Sequence, residues 1–287
     1  MNNNLRAGLI MVAAMLMLSL NDAAIKHTGE RLDVGQILML RGIIVMFIFA
    51  IALRASRLPL FSAALKDRWT LIRGGFEVAA TVCFLSGLVL LPLGVASALV
   101  FASPIFTTIV ARPLTGERVG AWRWLAVIMG FCGTVLITRP WSADWSIAML
   151  LPIAAAVFVA GRDIVTRYIG TGQSSLHVAL VTATLVTLGG VIMAPWRWQP
   201  VDPASLGWIS LCGVLIAGAY FSLITAFRSG DLSFVAPLKY VALVFAIGLG
   251  ALIWDERLSL VQIIGVVSVS ASGLLLFAVE RRRVNHD

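Results

Sequence analysis

Charged residues are scarce in this sequence. Only 13% of its 287 residues are Asp, Glu, Lys or Arg, whereas 60% are hydrophobic. Soluble domains are about a quarter charged, and a chain this apolar lacks the polar side chains that would cover a water-soluble core. The composition excludes an ordinary soluble protein and predicts an integral membrane protein.

Histidine and cysteine are also scarce. The three histidines, His27, His177 and His286, are scattered, and the three cysteines lie inside apolar runs without a neighbour at metal-ligand spacing. No glycine-rich phosphate loop follows a strand. We therefore predict no catalytic residue, no metal and no cofactor, and transport powered directly by ATP is disfavoured.

Long apolar runs are what this sequence does contain. A helix that crosses a bilayer needs about 20 mostly apolar residues, whereas barrel strands are about half as long and alternate in polarity. The runs fall at 5–26, 34–54, 71–90, 94–114, 121–139, 146–167, 176–195, 206–227, 233–254 and 258–279. They predict an all-α integral membrane protein with ten transmembrane helices.

The net charge of +8 has two interpretations. A nucleic-acid site would gather basic residues into a stripe with aromatic residues, but here they lie between the apolar runs. With a cytoplasmic N-terminus, fifteen of the 22 Lys and Arg residues fall in inner segments and five in outer ones. This is the bias of the positive-inside rule. Both termini are therefore predicted to be cytoplasmic, with membrane lipids and no nucleic acid as partners.

The chain also resembles itself. Residues 91–120 align with 230–259, and the stretch NDAAIK at residues 21–26 aligns with residues 162–167. The matched residues are Leu93 with Leu232, Leu99 with Leu238, Glu117 with Glu256, Arg118 with Arg257, Asp22 with Asp163 and Lys26 with Arg167. We predict two five-helix units, 1–140 and 141–287, the second ending in a short cytoplasmic tail. An odd number of spans inverts the second unit relative to the first, with a central cavity between them.

Two segments carry a family resemblance. ASPIFTTIVARPLTGERVGAWRWLAVIMGFCGTVLITRP (102–140) and APLKYVALVFAIGLGALIWDERLSLVQIIGVVSVSASGLLL (236–276) resemble the two halves of the EamA family in the drug/metabolite transporter superfamily. The resemblance implies ten helices, a central substrate cavity and movement of a small metabolite across the bacterial inner membrane. Asp255 departs from the pattern, which commonly has glycine there, and we expect it to be structural.

Glu77 and Lys239 are charged residues inside predicted spans, where a charge normally faces a cavity or a partner. Glu77 could bind a cationic substrate group or a coupling proton, or it could pair with Arg73 one turn earlier. Lys239 could bind an anionic or carboxylate-bearing substrate, or its amine could reach the cytoplasmic surface. Both are candidates for substrate binding.

Three more polar residues complete the candidate substrate site. Tyr220 and Tyr240 could each offer a ring face and a hydroxyl to a ligand, and a packing role suits either equally well. Arg41, in the second span, could serve the site or form a buried tie to Asp22 or to a helix end.

The stretch NDAAIK contains a predicted ion pair. Asp22 and Lys26 are four residues apart at the outer end of the first helix, so they can pair on one face. Asp163 and Arg167 repeat this spacing at the inner end of the sixth helix. The two pairs are either helix-end anchors or latches of the outer and inner gates.

Small residues and one proline predict how the helices pack. Closely packed positions are expected at Gly130, Gly133, Gly248, Gly250, Ser268 and Ser272. Pro104, inside the predicted fourth span, removes a backbone hydrogen bond and is expected to bend that helix.

The leading functional hypothesis is a secondary transporter or exporter of a small organic metabolite, an amino acid or related solute, that works by alternating access. Transport down a gradient and coupling to protons both stay open. A polytopic membrane enzyme would need convergent His, Asp or Glu residues, which the sequence does not offer. A non-transporting scaffold or sensor is the third hypothesis.

Overall fold

The computed structural model of the chain describes residues 3–60, 64, 66–107, 109, 121–143, 145–166, 168–169, 173–229 and 236–284. Its α-helices are α1 (Asn3–Thr28), α2 (Val34–Ala55), α3 (Arg68–Leu90), α4 (Leu93–Val100), α5 (Ala121–Thr138), α6 (Leu150–Thr166), α7 (Ser175–Met193), α8 (Pro203–Ser229), α9 (Val241–Trp254) and α10 (Leu260–Val284). Turns of 3₁₀ helix lie at Ile147–Met149, Ala194–Arg197 and Ala236–Tyr240. Among the residues named in the sequence predictions, Glu117, Arg118, Arg167, Leu232 and His286 lie outside the described residues.

Six of these helices are long and apolar enough to cross a membrane, namely α1, α2, α3, α6, α7 and α8. Shorter apolar helices lie at Leu93–Thr107, Trp124–Thr138, Leu238–Trp254 and Leu260–Leu275. The chain is thus a helical, multi-pass membrane protein, as its composition predicts. Six spans meet the length and composition criterion within the described residues, so the count of ten stays a prediction.

Aspartate side chains fix where two of the helices begin. Asp33 Oδ1 accepts a hydrogen bond from Gly35 N at 2.9 Å before α2. Asp67 Oδ2 accepts from both the backbone N and the Oγ1 of Thr70, each at 2.8 Å, before α3. An N-cap side chain satisfies a backbone N–H group that has no partner inside the first helical turn.

Helix α4 is interrupted before Pro104. It ends at Val100, a turn follows at Phe101 and Ala102, and residues 103–107 are helical again. Proline has no backbone N–H, so Pro104 cannot donate the helical hydrogen bond to the carbonyl oxygen of Val100, four residues earlier. The interruption agrees with the bend predicted at this residue.

Asp255 ends α9 in a left-handed backbone conformation, with φ of 52°. Glycine adopts this conformation without steric cost, and aspartate is one of the few other residues that tolerate it. The geometry explains why glycine is common here in the family pattern, and it agrees with the structural role expected for Asp255.

The helices of the two predicted units pack against each other in pairs. The pairs are α1 with α8 and α9, α2 with α7 and α8, α3 with α6 and α7, α4 with α6 and α9, and α5 with α10. The first unit therefore does not form a separate core, and most of the charged side chains described below lie where the two units meet.

The α5–α10 pair shows the predicted close packing. Ser268 Oγ and Ser272 Oγ on α10 donate to backbone carbonyls of α5 at 3.0 and 2.6 Å. A Cβ atom on Gly133 would lie only 2.8 Å from the carbonyl oxygen of Gly265. Gly248 differs, because no atom of the described residues lies within 4 Å of where its Cβ would be. The close packing predicted at Gly248 is therefore wrong.

Contacts between the helix links divide the bundle into two ends. At one end, the α1–α2 link approaches the α7–α8 link, where Arg31 and Asp202 form an ion pair at 3.6 Å. At the other end, the α2–α3 link meets the start of α7, where His177 Nε2 lies 2.7 Å from Pro59 O. We call these the α1–α2 end and the α2–α3 end.

Candidate functional site

The first charged cluster joins α3 to α6. One guanidinium nitrogen of Arg162 donates to Glu77 Oε2 at 3.0 Å, and the other donates to Asp163 Oδ1 at 2.8 Å. Glu77 and Arg162 expose only 12% and 23% of their side chains. Glu77 lies nine residues into α3, about 14 Å along the helix, so this contact is close to the middle of a bilayer core about 30 Å thick.

Arg73 does not pair with Glu77, the partner considered for it above. Its Nη1 donates to Thr182 Oγ1 on α7 at 2.6 Å, and its Nε donates to Thr166 Oγ1 on α6 at 3.1 Å. Glu77 is bound by Arg162 from the neighbouring helix instead. The predicted local pair is therefore wrong, because α6 packs alongside α3 and offers a closer cation than the preceding helical turn does.

Arg41 lies on α2 and is 8% exposed. Asp22, Glu77, Tyr220 and Cys212 are the groups with which it interacts electrostatically. None of them forms a hydrogen bond or an ion pair with its guanidinium within the described part of the chain. A few described side-chain atoms are fully buried and lack a hydrogen-bond partner, and the nitrogens of Arg41 are not among them. Within the described residues the guanidinium is thus buried and has no hydrogen-bond or ion-pair partner, although its nitrogens are not fully sealed from solvent.

Tyr220 on α8 is 40% exposed. Its hydroxyl interacts electrostatically with Glu77, Arg162, Arg73 and Arg41, which belong to α2, α3 and α6. The hydroxyl is therefore within electrostatic range of charged groups on three other helices. The structure thereby brings together Tyr220, Glu77 and Arg41 of the predicted substrate set.

Lys239 and Tyr240 differ in their surroundings although they are adjacent. Lys239 interacts electrostatically with Asp163 and Arg162, so it belongs to the same group of charges. The Tyr240 ring packs 5.4 Å from that of Phe101, and a Cβ on Gly273 would overlap its hydroxyl. Tyr240 thus occupies a packed position between α4 and α10, and its predicted substrate role stays untested.

Lys26 pairs with Glu256 and not with Asp22. Its Nζ donates to a carboxylate oxygen of Glu256 and to the carbonyl oxygen of Leu91, and it lies 5.2 Å from the ring centre of Trp254. The second oxygen of Glu256 accepts from Leu93 N at 2.7 Å. The prediction of an Asp22–Lys26 ion pair is therefore wrong. The acid that binds Lys26 lies 230 residues along the chain, brought there by the packing of α9 on α1.

Asp22 and Asp163, the two aspartates of the predicted gate pairs, have other neighbours. Asp22 Oδ1 accepts from Asn21 Nδ2 at 3.0 Å, and Asp163 Oδ1 accepts from the guanidinium of Arg162. Arg167, the predicted partner of Asp163, lies outside the described residues. The pairing of Asp163 with Arg167 stays a prediction.

Two residues of these clusters were missing from the predicted site. Arg162 is not singled out in the sequence analysis, and Glu256 appears there only as the repeat counterpart of Glu117. The internal repeat held a signal for Glu256, since it matches Glu117 at the same place in the other unit. For Arg162 the signal was its position beside Asp163 within an apolar run.

With all these groups ionised, the α3–α6 contact and Arg73 are neutral as a set. Arg41 and Asp22 add one positive and one negative charge, and Lys239 adds a cation next to Asp163 and Arg162. No group of three metal-ligating side chains occurs in the described ranges. The arrangement can bind a small molecule that bears a carboxylate or another anionic group.

Two stretches of this chain, residues 5–139 and 146–278, match the EamA-like transporter family. The chain belongs to this family. Its matched regions place Glu77 in the first match and Arg162 in the second. The family model thus covers both sides of the charged cluster.

Named relatives are transporters of the drug/metabolite superfamily. A riboflavin transporter of Vibrio cholerae is 30% identical over 178 residues, 61% of this chain and 59% of that protein, which is less than two thirds of its length. The pseudopaline exporter CntI of Pseudomonas aeruginosa is 25% identical over 95% of this chain and 96% of its own. An S-adenosylmethionine uptake transporter of Rickettsia prowazekii is 24% identical over 93% of this chain and 90% of its own.

A solved crystal structure shares the fold. It has a TM-score of 0.62 and 22% sequence identity, and the alignment covers 96% of this chain and 98% of the other. At this identity the likeness speaks for the arrangement of helices alone.

Proposed function

We propose that this protein is a secondary transporter that moves a small organic metabolite across the bacterial inner membrane by alternating access. Its two units, residues 1–140 and 141–287, would be inverted five-helix repeats around a central substrate cavity, with both termini cytoplasmic. The observation that carries this proposal is the buried contact of Glu77 with Arg162, which puts opposite charges of the two family matches together deep in the bundle.

The pattern of helix packing supports the repeat. Exchanging each helix of the first unit for its counterpart in the second turns the α1–α8 contact into α6–α3, and α1–α9 into α6–α4. It turns α2–α8 into α7–α3 and leaves α2–α7, α4–α9 and α5–α10 unchanged. A pattern preserved under this exchange is expected when two similar units meet around a pseudo-twofold axis.

The contacts at the α1–α2 end support a gating role for that end. At the α1–α2 end, which the charge distribution assigns to the outside, Lys26 and Glu256 join the two units with side chains only 10% and 15% exposed. Trp254 Nε1 donates to Glu30 Oε1 across the same boundary at 3.1 Å. We propose that this set of contacts closes the outer side and opens during each transport cycle.

The relatives support a polar organic substrate of metabolite size. The names of these relatives give riboflavin, pseudopaline and S-adenosylmethionine as their substrates. One relative is named as an exporter and another as an uptake transporter. The buried guanidinium of Arg41, which has no hydrogen-bond or ion-pair partner among the described residues, favours a solute with an anionic group, and amino acids or related solutes fit this description. If protons drive transport, Glu77 is the candidate carrier, and its contact with Arg162 would have to open during the cycle.

Flux through purified protein in liposomes tests the proposal. Liposomes that contain wild-type protein would be loaded separately with riboflavin, S-adenosylmethionine or a mixture of amino acids, with and without a pH gradient. Liposomes that contain the Arg162→Gln variant are the comparison. Saturable flux of at least one solute that the variant lacks is the expected result. If folded wild-type protein moves none of these solutes under any gradient, the proposal fails. A pH profile of flux that is identical in wild type and Glu77→Gln would exclude Glu77 as the proton carrier.

A further inference from the structure

The link between α1 and α2 is tied to the link between α7 and α8. Gln36, fully buried at the start of α2, bonds the backbone of Gln199 through both ends of its side-chain amide. Its Nε2 donates to Gln199 O at 2.6 Å, and its Oε1 accepts from Gln199 N at 3.0 Å. Arg31 and Asp202 add an exposed ion pair between the same two links. The buried amide fixes the α7–α8 link to α2, because a buried donor or acceptor left without its partner is costly.

The α2–α3 end has the same ties with the two units exchanged. His177, at the repeat position of Gln36, lies at the start of α7 and bonds the α2–α3 link. Its Nε2 lies 2.7 Å from Pro59 O and is the donor, because a carbonyl oxygen can only accept. Thr70 Oγ1, at the start of α3, lies 3.1 Å from the side-chain amide of Gln173 in the α6–α7 link. Each end therefore has one link bonded by a buried side chain of α2 or α7.

Between these ties, α2 and α7 approach so closely that their backbones are in contact. A Cβ atom on Gly190 would lie 2.5 Å from Met39 N, and one on Gly35 would lie 2.9 Å from Ala194 N. Small residues of this kind let two helices pack backbone to backbone in a membrane. No side chain at Gly35 or Gly190 could reach across a widened gap, so parting the helices there would forfeit the contact outright.

From this arrangement we infer that α2 and α7 form the fixed axis of the transport cycle, with Gln36 and His177 as positioning residues that clamp the neighbouring links to it. The inference rests on the proposed transport function and deepens it, because it names the contact between the two units that does not open. At the outer end, the α1–α2 and α7–α8 links move as one body. The opening occurs where Lys26 meets Glu256 and the carbonyl oxygen of Leu91.

The contacts of Lys26 suit a movable boundary better than those of Gln36 do. Lys26 and Glu256 meet through the ends of long side chains, which water solvates again once the end opens. The amide of Gln36 is instead bonded to backbone atoms beside the glycine contacts, so opening there would break the side-chain bonds and the backbone packing together. The movement is therefore assigned to the boundary at Lys26.

Distances between paired spin labels test the inference on the full-length chain in liposomes, in a background without native cysteines. Arg31→Cys with Trp196→Cys reports across the clamped links, and Arg31→Cys with Arg257→Cys reports across the Lys26–Glu256 contact. All three labelled side chains are exposed. When Glu256→Gln is added, the second pair should gain a population longer by about 5 Å, the scale on which packed elements shift in switching proteins. The first pair should keep its distance.

Variants of the two clamps separate positioning from general stability. Gln36→Ala, added to Glu256→Gln, should give the Arg31–Trp196 pair the longer population as well. Gln36→Asn, whose side chain is one methylene shorter, replaces it if Gln36→Ala does not fold. At the other end, His177→Gln should melt as wild type does, because glutamine makes the equivalent tie at the repeat position, whereas His177→Ala should melt at a lower temperature. The labels remove the Arg31 ion pair from both samples alike.

Four results would each overturn the inference. In Glu256→Gln, these are a longer distance across the clamped links, or unchanged distances for both labelled pairs. In the clamp variants, they are an unchanged Arg31–Trp196 distance when Gln36 is replaced, or equal destabilisation by His177→Gln and His177→Ala. Flux in liposomes decides the transport proposal separately. Widening across the Lys26–Glu256 contact alone, in protein that moves no solute, would reject transport and leave the fixed α2–α7 contact standing.

Discussion

The two ends of the bundle differ in how their charges are arranged. At the α1–α2 end, Lys26 and Glu256 join helices far apart in sequence, and both side chains are nearly buried. Toward the α2–α3 end, Arg162 is shared between Glu77 and Asp163, and Asp163 exposes 49% of its side chain. Lys26 and Glu256 are thus both shielded from water, whereas of the two acids that contact Arg162, Glu77 is nearly buried and Asp163 is half-exposed.

This difference indicates which ion pairs stabilise the observed conformation and which can open at little cost in free energy. A pair that is nearly buried loses much when it opens, whereas an exposed pair contributes about 0–1 kcal/mol because water solvates both charges. In the proposed transport cycle, the α1–α2 end is therefore the one whose opening would control access to the space between the two units. In the Glu77–Arg162–Asp163 cluster, Asp163 is the charge that a solute or water reaches most readily.

The largest effect is expected from Arg162→Gln. Loss of the guanidinium leaves Glu77 and Asp163 close together without their shared cation, which costs about 3–5 kcal/mol for a buried pair. Flux in liposomes should be abolished and the melting temperature lowered. Glu77→Gln should cost less, since Arg162 keeps Asp163. If the double variant is as destabilised as the sum of the two single variants, the side chains do not act as a pair.

Lys239→Met is expected to come next. The amine interacts with Asp163 and Arg162 at the start of α9, so its loss should abolish transport. Its removal also relieves repulsion from Arg162, and the melting temperature should stay within about 4 °C of wild type. Lys239→Arg, which keeps the charge, is the control. Normal flux in Lys239→Met would remove this residue from the site.

Glu256→Gln should weaken the closed α1–α2 end. The carboxylate binds Lys26 and Leu93 N, and losing its charge should favour the open state by about 1–2 kcal/mol, roughly tenfold in population. A single cysteine at Ser19, in a variant without native cysteines, should then react about tenfold faster with a membrane-impermeant thiol reagent. Asp255→Asn is the matched control, since Asp255 is exposed and pairs only with Arg257. Equal labelling rates in the two variants would mean that Lys26–Glu256 is an anchor and not a latch.

The smallest effects should come from the helix caps, one at each end. Hydrogen bonds from Thr70 hold the pKa of Asp67 below its ordinary value, and hydrogen bonds from Ser205, with the nearby Arg31, lower the pKa of Asp202. A lowered folded-state pKa contributes stability above the unfolded value of 3.8, and this stability is lost as the pH falls through the folded pKa. Asn variants at both positions should narrow the melting-temperature difference between pH 6 and pH 3. An unchanged difference would show that neither cap titrates in this range.

Sequence patterns predicted most of the helices within a few residues, because a lipid environment demands apolar runs of fixed length. The predicted runs 34–54 and 121–139 correspond to α2 (Val34–Ala55) and α5 (Ala121–Thr138). Pro104 and Asp255 were also interpreted correctly, since both act through their own backbone conformation. Local properties of this kind need no knowledge of neighbouring helices.

Side-chain partners were the part that sequence spacing got wrong. Helical periodicity predicted that Lys26 pairs with Asp22 and allowed Glu77 to pair with Arg73, each partner being four residues away. The structure gives Lys26 to Glu256 and Glu77 to Arg162, because a neighbouring helix brings its charge closer than the preceding turn of the same helix does. Only three-dimensional packing could also leave Arg41 buried without a close partner.

The sequence by itself determined the class, the family and the approximate helices of this protein, since apolar run length, charge distribution and repeated motifs are properties of the chain alone. The tertiary structure decided which acid meets which base, because an ion pair between helices depends on how they pack and not on spacing along the chain. Lys26 and Asp22 show the difference most clearly. They are four residues apart on one helix, yet in the fold Lys26 binds Glu256, and Asp22 accepts a hydrogen bond from the adjacent Asn21.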